Sequence, residues 1–219
     1  MKKRLISAAA LLLTIVAAIT LDWFSGGLLE TFPLFTILLL GTTLLMGSSE
    51  IHSLMRKWGK YRHPLPTALL LMGVPGAFLI ALLLREHGLW LLLYLILVAK
   101  MVDNGALFVG SIWGRKPLAP KISPNKTVEG LIGGLLTGTA SSIIFGLLLF
   151  ENALLFSLVF GLLISPLAVA GDLAASFLKR KAGVKDSGTL LPGIGGVLDL
   201  MDSILLSAPA GYWLLTQLS

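Results

Sequence analysis

The chain has 219 residues, of which 56% are hydrophobic and 13% are charged, and its formal net charge is +6. This composition excludes an ordinary soluble domain and is typical of a helical membrane protein. The chain has no cysteine, which excludes disulfides, a thiolate nucleophile and cysteine-bound metals. The basic excess indicates membrane topology and predicts no nucleic-acid partner, because no basic face with interleaved aromatic residues is present.

Seven apolar segments predict membrane-spanning helices, each of which needs about 20 mainly apolar residues. In chain order they cover residues 5–21, 32–46, 66–84, 89–110, 131–150, 154–175 and 197–218. The sequence thus predicts an all-α fold, a polytopic transmembrane helix bundle of about seven helices in which residues 1–219 form a single domain. Gly130, Gly134 and Gly138 of the fifth helix are spaced for close packing against another helix, with substrate contact as a secondary interpretation.

Polar segments at about 47–65, 111–130 and 176–196 predict three loops on one side of the membrane, the first with an interfacial amphipathic helix at 48–63. All but Arg85 of the 17 lysines and arginines fall before the first helix, in these segments or on the approach to them. Because positive residues collect on the cytoplasmic side, we predict cytoplasmic loops and a cytoplasmic N-terminus. The first residues also resemble a signal peptide, but no convincing cleavage site follows, so a retained first helix is preferred.

A first polar cluster extends from Lys100 and Asp103 through the second of these loops. Its last part contains Ser123, Lys126 and Thr127, followed by Glu129, just before or at the start of the fifth predicted helix. The free N–H groups and the positive end of a helix attract anions. The segment therefore predicts a phosphate-binding loop, with an ordinary capped loop as the alternative.

A second polar cluster contains three aspartates, Asp172, Asp199 and Asp202. Asp199 and Asp202 are three residues apart, so in a helix they share one face. Two such carboxylates repel each other unless a cation lies between them, and hard oxygen ligands suit Mg²⁺. We therefore predict a metal or phosphate site at these aspartates, while the alternative is that they cap the last helix. Gly195 and Gly196 would let the backbone approach a ligand, and the basic run at 179–181 fits either phosphate binding or topology.

Two stretches of the C-terminal half resemble the phosphatidate cytidylyltransferases, also called CDP-diacylglycerol synthases. The first contains DNGA at 103–106 and ISPNKTVEGLIGG at 122–134. The second contains SFLKR at 176–180, KD at 185–186 and LPGIGGVLDLMDS at 191–203. The chain departs from the family pattern at four positions. The family usually has His in place of Ile194 and Arg in place of Leu200. It usually has Thr or Ser in place of Asn104 and an aromatic residue in place of Leu107.

This resemblance implies a multi-pass enzyme of the cell inner (plasma) membrane that acts in phospholipid biosynthesis. Its expected partners are CTP, phosphatidate or a similar phospholipid, and the membrane, and a homodimer stays open. The expected cofactor is Mg²⁺, with a second cation left open. Together with the patterns above, it implies catalytic roles for Asp199, Asp172 and Lys126 and metal binding by Asp172, Asp199 and Asp202. The residues expected to bind substrate are Ser123, Lys126, Thr127, Glu129, Lys179, Arg180, Lys185, Asp186, Gly195 and Gly196.

The reaction implied by the resemblance joins CTP and phosphatidate into CDP-diacylglycerol and releases pyrophosphate. One alternative is a related CTP-dependent enzyme that acts on another lipid, either an isoprenoid alcohol kinase or an archaeal-type lipid cytidylyltransferase. Another is an ion-coupled transporter, which would use carboxylates within the membrane. A scaffold without activity is suggested only by the departures at Ile194 and Leu200.

Overall fold

The computed structural model describes residues 6, 9–10, 13–22, 33–59, 64–151, 153–188 and 195–217. Outside this range lie parts of the first predicted helix and two basic residues of the predicted loops, Lys60 and Arg62. Most of the motif before residue 195, Ile194 included, also lies outside it. The described residues form helices α1 (Leu13–Asp22), α2 (Leu34–Trp58), α3 (Pro64–Leu83), α4 (Gly88–Trp113), α5 (Val128–Leu149), α6 (Leu154–Lys181) and α7 (Val197–Leu215), and strands β1 (Pro117–Ala119) and β2 (Ser123–Thr127). The predicted all-α class and the number of helices are confirmed.

Five of these helices, α2 to α6, are long and apolar enough to cross a membrane. Their outward faces carry large apolar side chains, such as Leu136, Leu148 and Leu155, which are 68%, 74% and 73% exposed. Contiguous apolar surface of this kind is expected where helices contact lipid. The chain is therefore a multi-pass membrane protein, while the side on which its N-terminus lies stays a prediction.

Helix α4 is the centre of the bundle and packs against α3, α5, α6 and α7. Its buried face includes Tyr94, Leu95 and Val98. The Tyr94 hydroxyl lies 2.7 Å from Ser142 Oγ of α5, and Ser142 Oγ donates to the carbonyl of Ser157 of α6 at 2.6 Å. Hydrogen bonds between helices satisfy polar groups that water cannot reach. They link α4, α5 and α6 in the interior.

Glycines bring α5 into close contact with α4, as their spacing predicts. A Cβ atom on Gly130 would lie 2.8 Å from the carbonyl oxygen of Ala106, and one on Gly134 would lie 2.9 Å from that of Val102. At Gly138 the nearest atoms would belong to Val102 and Ser165 of α6. The interpretation of these glycines as helix-packing residues is confirmed, and they hold the start of α5 against the end of α4.

Replacing Gly134 by alanine should lower the free energy of unfolding by about 1–3 kcal/mol, because the added methyl group meets backbone that cannot move aside. The measurement is chemical unfolding of the purified protein in detergent. Gly41→Ala in α2 is the matched control, since a Cβ there meets nothing within 4 Å. That control should be neutral or stabilise by up to about 1 kcal/mol, and equal stability of the two variants would contradict the packing role.

Two of the predicted loops begin later than the sequence suggests, because the helices before them are longer. Helix α2 continues to Trp58 because Ile51, Leu54 and Met55 are buried on one face, and it ends at Gly59 with φ at 69°. Residues 48–58 therefore belong to a core helix and do not form a separate interfacial one. Similarly, α6 continues to Lys181.

The second loop contains an antiparallel hairpin that the sequence analysis did not predict. Strands β1 and β2 pair with an irregular register, and Pro117 lies opposite Thr127. The backbone N–H of Val128 then donates to the carbonyl of Lys116 at 2.9 Å, where α5 begins. The hairpin connects α4 to α5 and places the residues of β2 at one end of the bundle.

Candidate active site

The ends of five helices meet beside the hairpin. Helices α2, α4 and α6 finish at this end, and α5 and α7 begin there. A Cβ on Gly110 of α4 would lie 3.4 Å from the Gly130 Cα of α5, and the ring centroids of Trp58 of α2 and Phe177 of α6 are 6.1 Å apart. Because helices joined by short connections run antiparallel, polar segments that are far apart in sequence gather here.

Three of the residues predicted to bind substrate hold the hairpin in position. Glu129 Oε2 accepts from the backbone N–H groups of Arg115 and Lys116 at 3.0 and 3.1 Å. Thr127 Oγ1 accepts from the N–H of Gly130 at 3.1 Å and caps α5. The Arg180 side chain reaches from α6 and donates from Nε to the carbonyl of Ile122 at 3.1 Å. These contacts fix β2 against α5 and α6.

A cavity of about 540 Å³ lies between the hairpin and helices α4, α5 and α6. Its polar lining includes Ser123, Lys126, Thr127, Asp103 and Asp172. Its apolar lining includes Leu107, Leu118 and Leu131, and Leu107 is 75% exposed on the outer face of α4. The cavity therefore joins a charged wall to the apolar surface of the bundle, and its volume is in the usual range for a small-molecule site.

Lys126 and Asp172 form the main charged contact of the cavity. Lys126 Nζ on β2 is hydrogen bonded to Asp172 Oδ2 on α6, and about a quarter of each side chain is exposed. An ammonium group presented at a cavity wall can attract a phosphate. The structure therefore brings together two of the residues predicted to be catalytic.

Asp202 lies in a second charged cluster, centred on Lys100. Lys100 Nζ is 3.4 Å from Asp103 Oδ2, 4.0 Å from Asp202 Oδ1 and 2.9 Å from Ser203 Oγ. Asp172 is close enough to repel both Asp103 and Asp202 electrostatically. Carboxylates of α4, α6 and α7 thus lie near one another, and Lys100 and Lys126 are the cations that contact them.

Asp199 is engaged in a different network, at the first turn of α7. Its Oδ1 accepts from Lys179 Nζ at 2.5 Å, and both side chains are 10% exposed. Its Oδ2 accepts from Ser187 N at 2.9 Å and from Gly196 N at 2.8 Å, and the Ser187 hydroxyl oxygen lies 2.9 Å from it. Asp199 therefore holds the loop before α7, as a capping residue does.

The remaining predicted residues lie around this network. Gly195 has φ at 120°, and a Cβ there would lie 2.5 Å from Asp199 Oδ2, so the tight turn requires glycine. Gly196 precedes α7 directly. Lys185 and Asp186 are exposed on the loop that leads to Ser187.

Glu50 of α2 completes the same network and was missed by the sequence analysis. Its carboxylate accepts from the N–H groups of Val197 and Leu198, both at 2.9 Å, and from Ser187 Oγ at 2.7 Å. The free N–H groups at the start of α7 are thereby satisfied from another helix. The available signal was that Glu50 is the acidic residue of an otherwise basic polar segment at 47–65.

Replacing Glu50 by glutamine should lower the free energy of unfolding by about 2–3 kcal/mol. Both carboxylate oxygens of Glu50 accept hydrogen bonds, whereas the glutamine amide has only one oxygen that can accept. The measurement is again chemical unfolding in detergent. Glu151→Gln, at an exposed position at the other end of the bundle, is the control. If both variants unfold like the original chain, Glu50 does not fasten α7.

The carboxylates fit Mg²⁺ by their chemistry, but they do not form a ready-made cage. Among the described residues, no group of three or more histidines, aspartates or glutamates is arranged to hold a metal ion. Both oxygens of Asp199 accept hydrogen bonds, from Lys179, Ser187 and Gly196, while Asp172 and Asp202 each have one oxygen so engaged. Asp172 and Asp202, which repel each other, fit best, because Mg²⁺ is usually held by one or two carboxylates together with substrate phosphates.

A family model and one relative match nearly the whole length of this sequence. A model described as the cytidylyltransferase family matches residues 1–218. The phosphatidate cytidylyltransferase of Haemophilus influenzae is 42% identical over 130 residues, which are 56% of this chain and 44% of the relative. That of Bacillus subtilis is 42% identical over 137 residues, which are 62% and 51% of the two chains. That of Staphylococcus haemolyticus is 35% identical over 216 residues, which are 97% of this chain and 78% of the relative.

These matches agree with the motifs gathered at the hairpin end of the bundle. The chain spans about half the length of the first two of these relatives and more than three quarters of the third. The family match and the nearly complete alignment with the Staphylococcus protein both include the helices that carry the cavity. The chain therefore belongs to the cytidylyltransferase family.

Proposed function

We propose that the chain is a phosphatidate cytidylyltransferase, which joins CTP and phosphatidate into CDP-diacylglycerol and releases pyrophosphate. It acts in the inner (plasma) membrane, with the hairpin on the cytoplasmic side, where CTP is available. The names of three relatives support the reaction. The positive-inside distribution of lysine and arginine supports the orientation.

The observation that carries this proposal is the mixed lining of the cavity. Lys126 provides a cation at one wall, while Leu107 and Leu131 lead to the lipid-facing surface. A phospholipid needs this combination, because its phosphate must reach a charged site while its acyl chains stay in hydrocarbon. The head group would lie against β2 beside Ser123 and Thr127.

The reaction requires positioning and charge neutralisation more than proton transfer. An ionised phosphate oxygen of phosphatidate forms a bond to the α-phosphorus of CTP. The bond from that phosphorus to the oxygen bridging to the β-phosphorus breaks, and its electron pair leaves with pyrophosphate. Lys126 would hold the attacking phosphate, and the exposed Arg180 and Lys185 would contact the triphosphate. Cationic clamps of this kind stabilise phosphoryl transfer.

Mg²⁺ belongs to the proposal as the partner of the nucleotide. Asp172 and Asp202 would hold it, and its charge would offset that of the triphosphate and the departing pyrophosphate. Asp199 and Lys179 would keep the start of α7 in register, so that Asp202 stays near Asp172. In this arrangement Asp199 contributes by position, and the direct metal contact expected from the motif stays a prediction.

A lipid panel tests the proposed substrate. The purified chain is supplied with CTP, Mg²⁺ and one lipid at a time, namely phosphatidate, an isoprenoid alcohol, or an archaeal-type phosphorylated ether lipid. Pyrophosphate release with phosphatidate alone is the expected result. Pyrophosphate release that requires the ether lipid, or CDP formation with the alcohol, would replace this proposal with the corresponding related enzyme.

A further inference from the structure

Lys100 lies within a membrane-spanning helix, where a charged side chain is costly unless it has a role. It is in α4, and its side chain is 30% exposed. Placing a lysine at the centre of a membrane helix costs about 2.5–3.5 kcal/mol on insertion scales. None of the predicted catalytic, substrate or metal roles uses it.

The surroundings of Lys100 are those of a bound cation. An ammonium group has three donors, and this one has two hydrogen-bond acceptors and a third oxygen at ion-pair distance. They are Ser203 Oγ at 2.9 Å, Asp103 Oδ2 at 3.4 Å and Asp202 Oδ1 at 4.0 Å. The acceptors come from two helices, α4 and α7, so the contact joins elements that are distant in sequence.

The Lys100 side chain offsets repulsion among neighbouring carboxylates. Asp103, Asp172 and Asp202 repel one another, and Lys126 neutralises only Asp172 by direct contact. Lys179 also acts on Asp202 from a distance, but it is hydrogen bonded to Asp199. Without Lys100, neither Asp103 nor Asp202 would have a cationic side chain of the described residues in contact, and an uncompensated buried charge is strongly destabilising.

We propose that the Lys100 ammonium is a tethered monovalent cation that holds Asp103 and Asp202 together beside the cavity. It is a positioning residue, because it acts through these carboxylates and the Ser203 hydroxyl. The chain consequently needs no free monovalent cation at this place. The inference rests on the proposed function only for its effect on turnover.

The experiment replaces the tethered cation with a free one. Lys100→Ala is purified in detergent, and its thermal unfolding is followed in potassium, ammonium or tetramethylammonium chloride at equal ionic strength. Lys121→Ala, which removes an exposed lysine of the hairpin turn, is the matched control. Lys100→Gln provides the same comparison if the alanine variant does not fold, and Lys100→Arg tests whether charge alone is sufficient.

Lys100→Ala is expected to unfold at least about 2–4 °C higher in potassium or ammonium than in tetramethylammonium, which is too large for the space left by the side chain. The original chain, Lys121→Ala and Lys100→Arg should show no such difference. With CTP and phosphatidate, small monovalent cations should raise the turnover of Lys100→Ala at least tenfold and leave that of the original chain unchanged.

Equal unfolding temperatures of Lys100→Ala in all three salts would overturn the inference, as would an equal response by the original chain. If no chain turns over CTP, the proposed function fails, but the unfolding temperatures still decide the role of Lys100. The two failures are therefore distinguishable.

Discussion

Replacing Lys126 by methionine is expected to lower kcat/KM for CTP and phosphatidate by about 100- to 1,000-fold. This is the usual loss when one preorganised group that stabilises transition-state charge is removed. The methionine keeps the length of the side chain but leaves the cavity wall without its ammonium group and Asp172 without its direct partner. The rate of CDP-diacylglycerol formation in detergent–lipid micelles measures the effect.

Lys121→Met is the control for Lys126→Met, because Lys121 is an exposed lysine in the turn of the same hairpin. It should retain nearly all activity. Lys126→Arg should recover part of the loss, since it restores the charge with a different shape. Full activity of a folded Lys126→Met protein would remove Lys126 from the catalytic site.

Asp199→Asn should lower the free energy of unfolding by about 3–5 kcal/mol, because it leaves Lys179 buried without its carboxylate. Both side chains are 10% exposed, so water compensates little for the loss. The variant should also lose activity, because the start of α7 carries Asp202. Chemical unfolding and turnover, measured on the same preparation, give the two effects.

The double variant Asp199→Asn with Lys179→Met separates fold from catalysis. Removing both charges eliminates the unpaired cation, so most of the lost stability should return. Activity should stay low, because the loop of Ser187 and Gly196 loses the acceptor charge that positions it. Activity that returned together with stability would contradict any role for this pair in catalysis.

The sequence predicted the parts of the fold that depend on simple repetition. Apolar runs identified the helices, and the spacing of Gly130, Gly134 and Gly138 identified a face of α5 that packs closely against another helix. The motif residues at the ends of antiparallel helices were expected to gather at one end, and Lys126 and Asp172 do meet there. These features follow from hydrophobic burial and helix geometry, which are local properties of the chain.

The parts that the sequence did not predict depend on contacts between distant segments. Strands β1 and β2 are short, and Pro124 and Asn125 interrupt any alternation of polar and apolar residues. Glu50 meets α7 across 147 residues of sequence. Asp199 and Asp202 share a helix face, yet Lys179 draws one into a capping network and Lys100 contacts the other. The different partners of the two aspartates could therefore only be found in the folded chain.

Separate labels on CTP test the proposed transfer of the cytidylyl group. The purified chain is incubated with phosphatidate and Mg²⁺, and with CTP labelled at either the α- or the γ-phosphate. We expect the α label to enter the organic-solvent-soluble lipid and the γ label to be released as pyrophosphate in equal amount. A γ label in the lipid, or intact CTP after incubation with the folded protein, would contradict it.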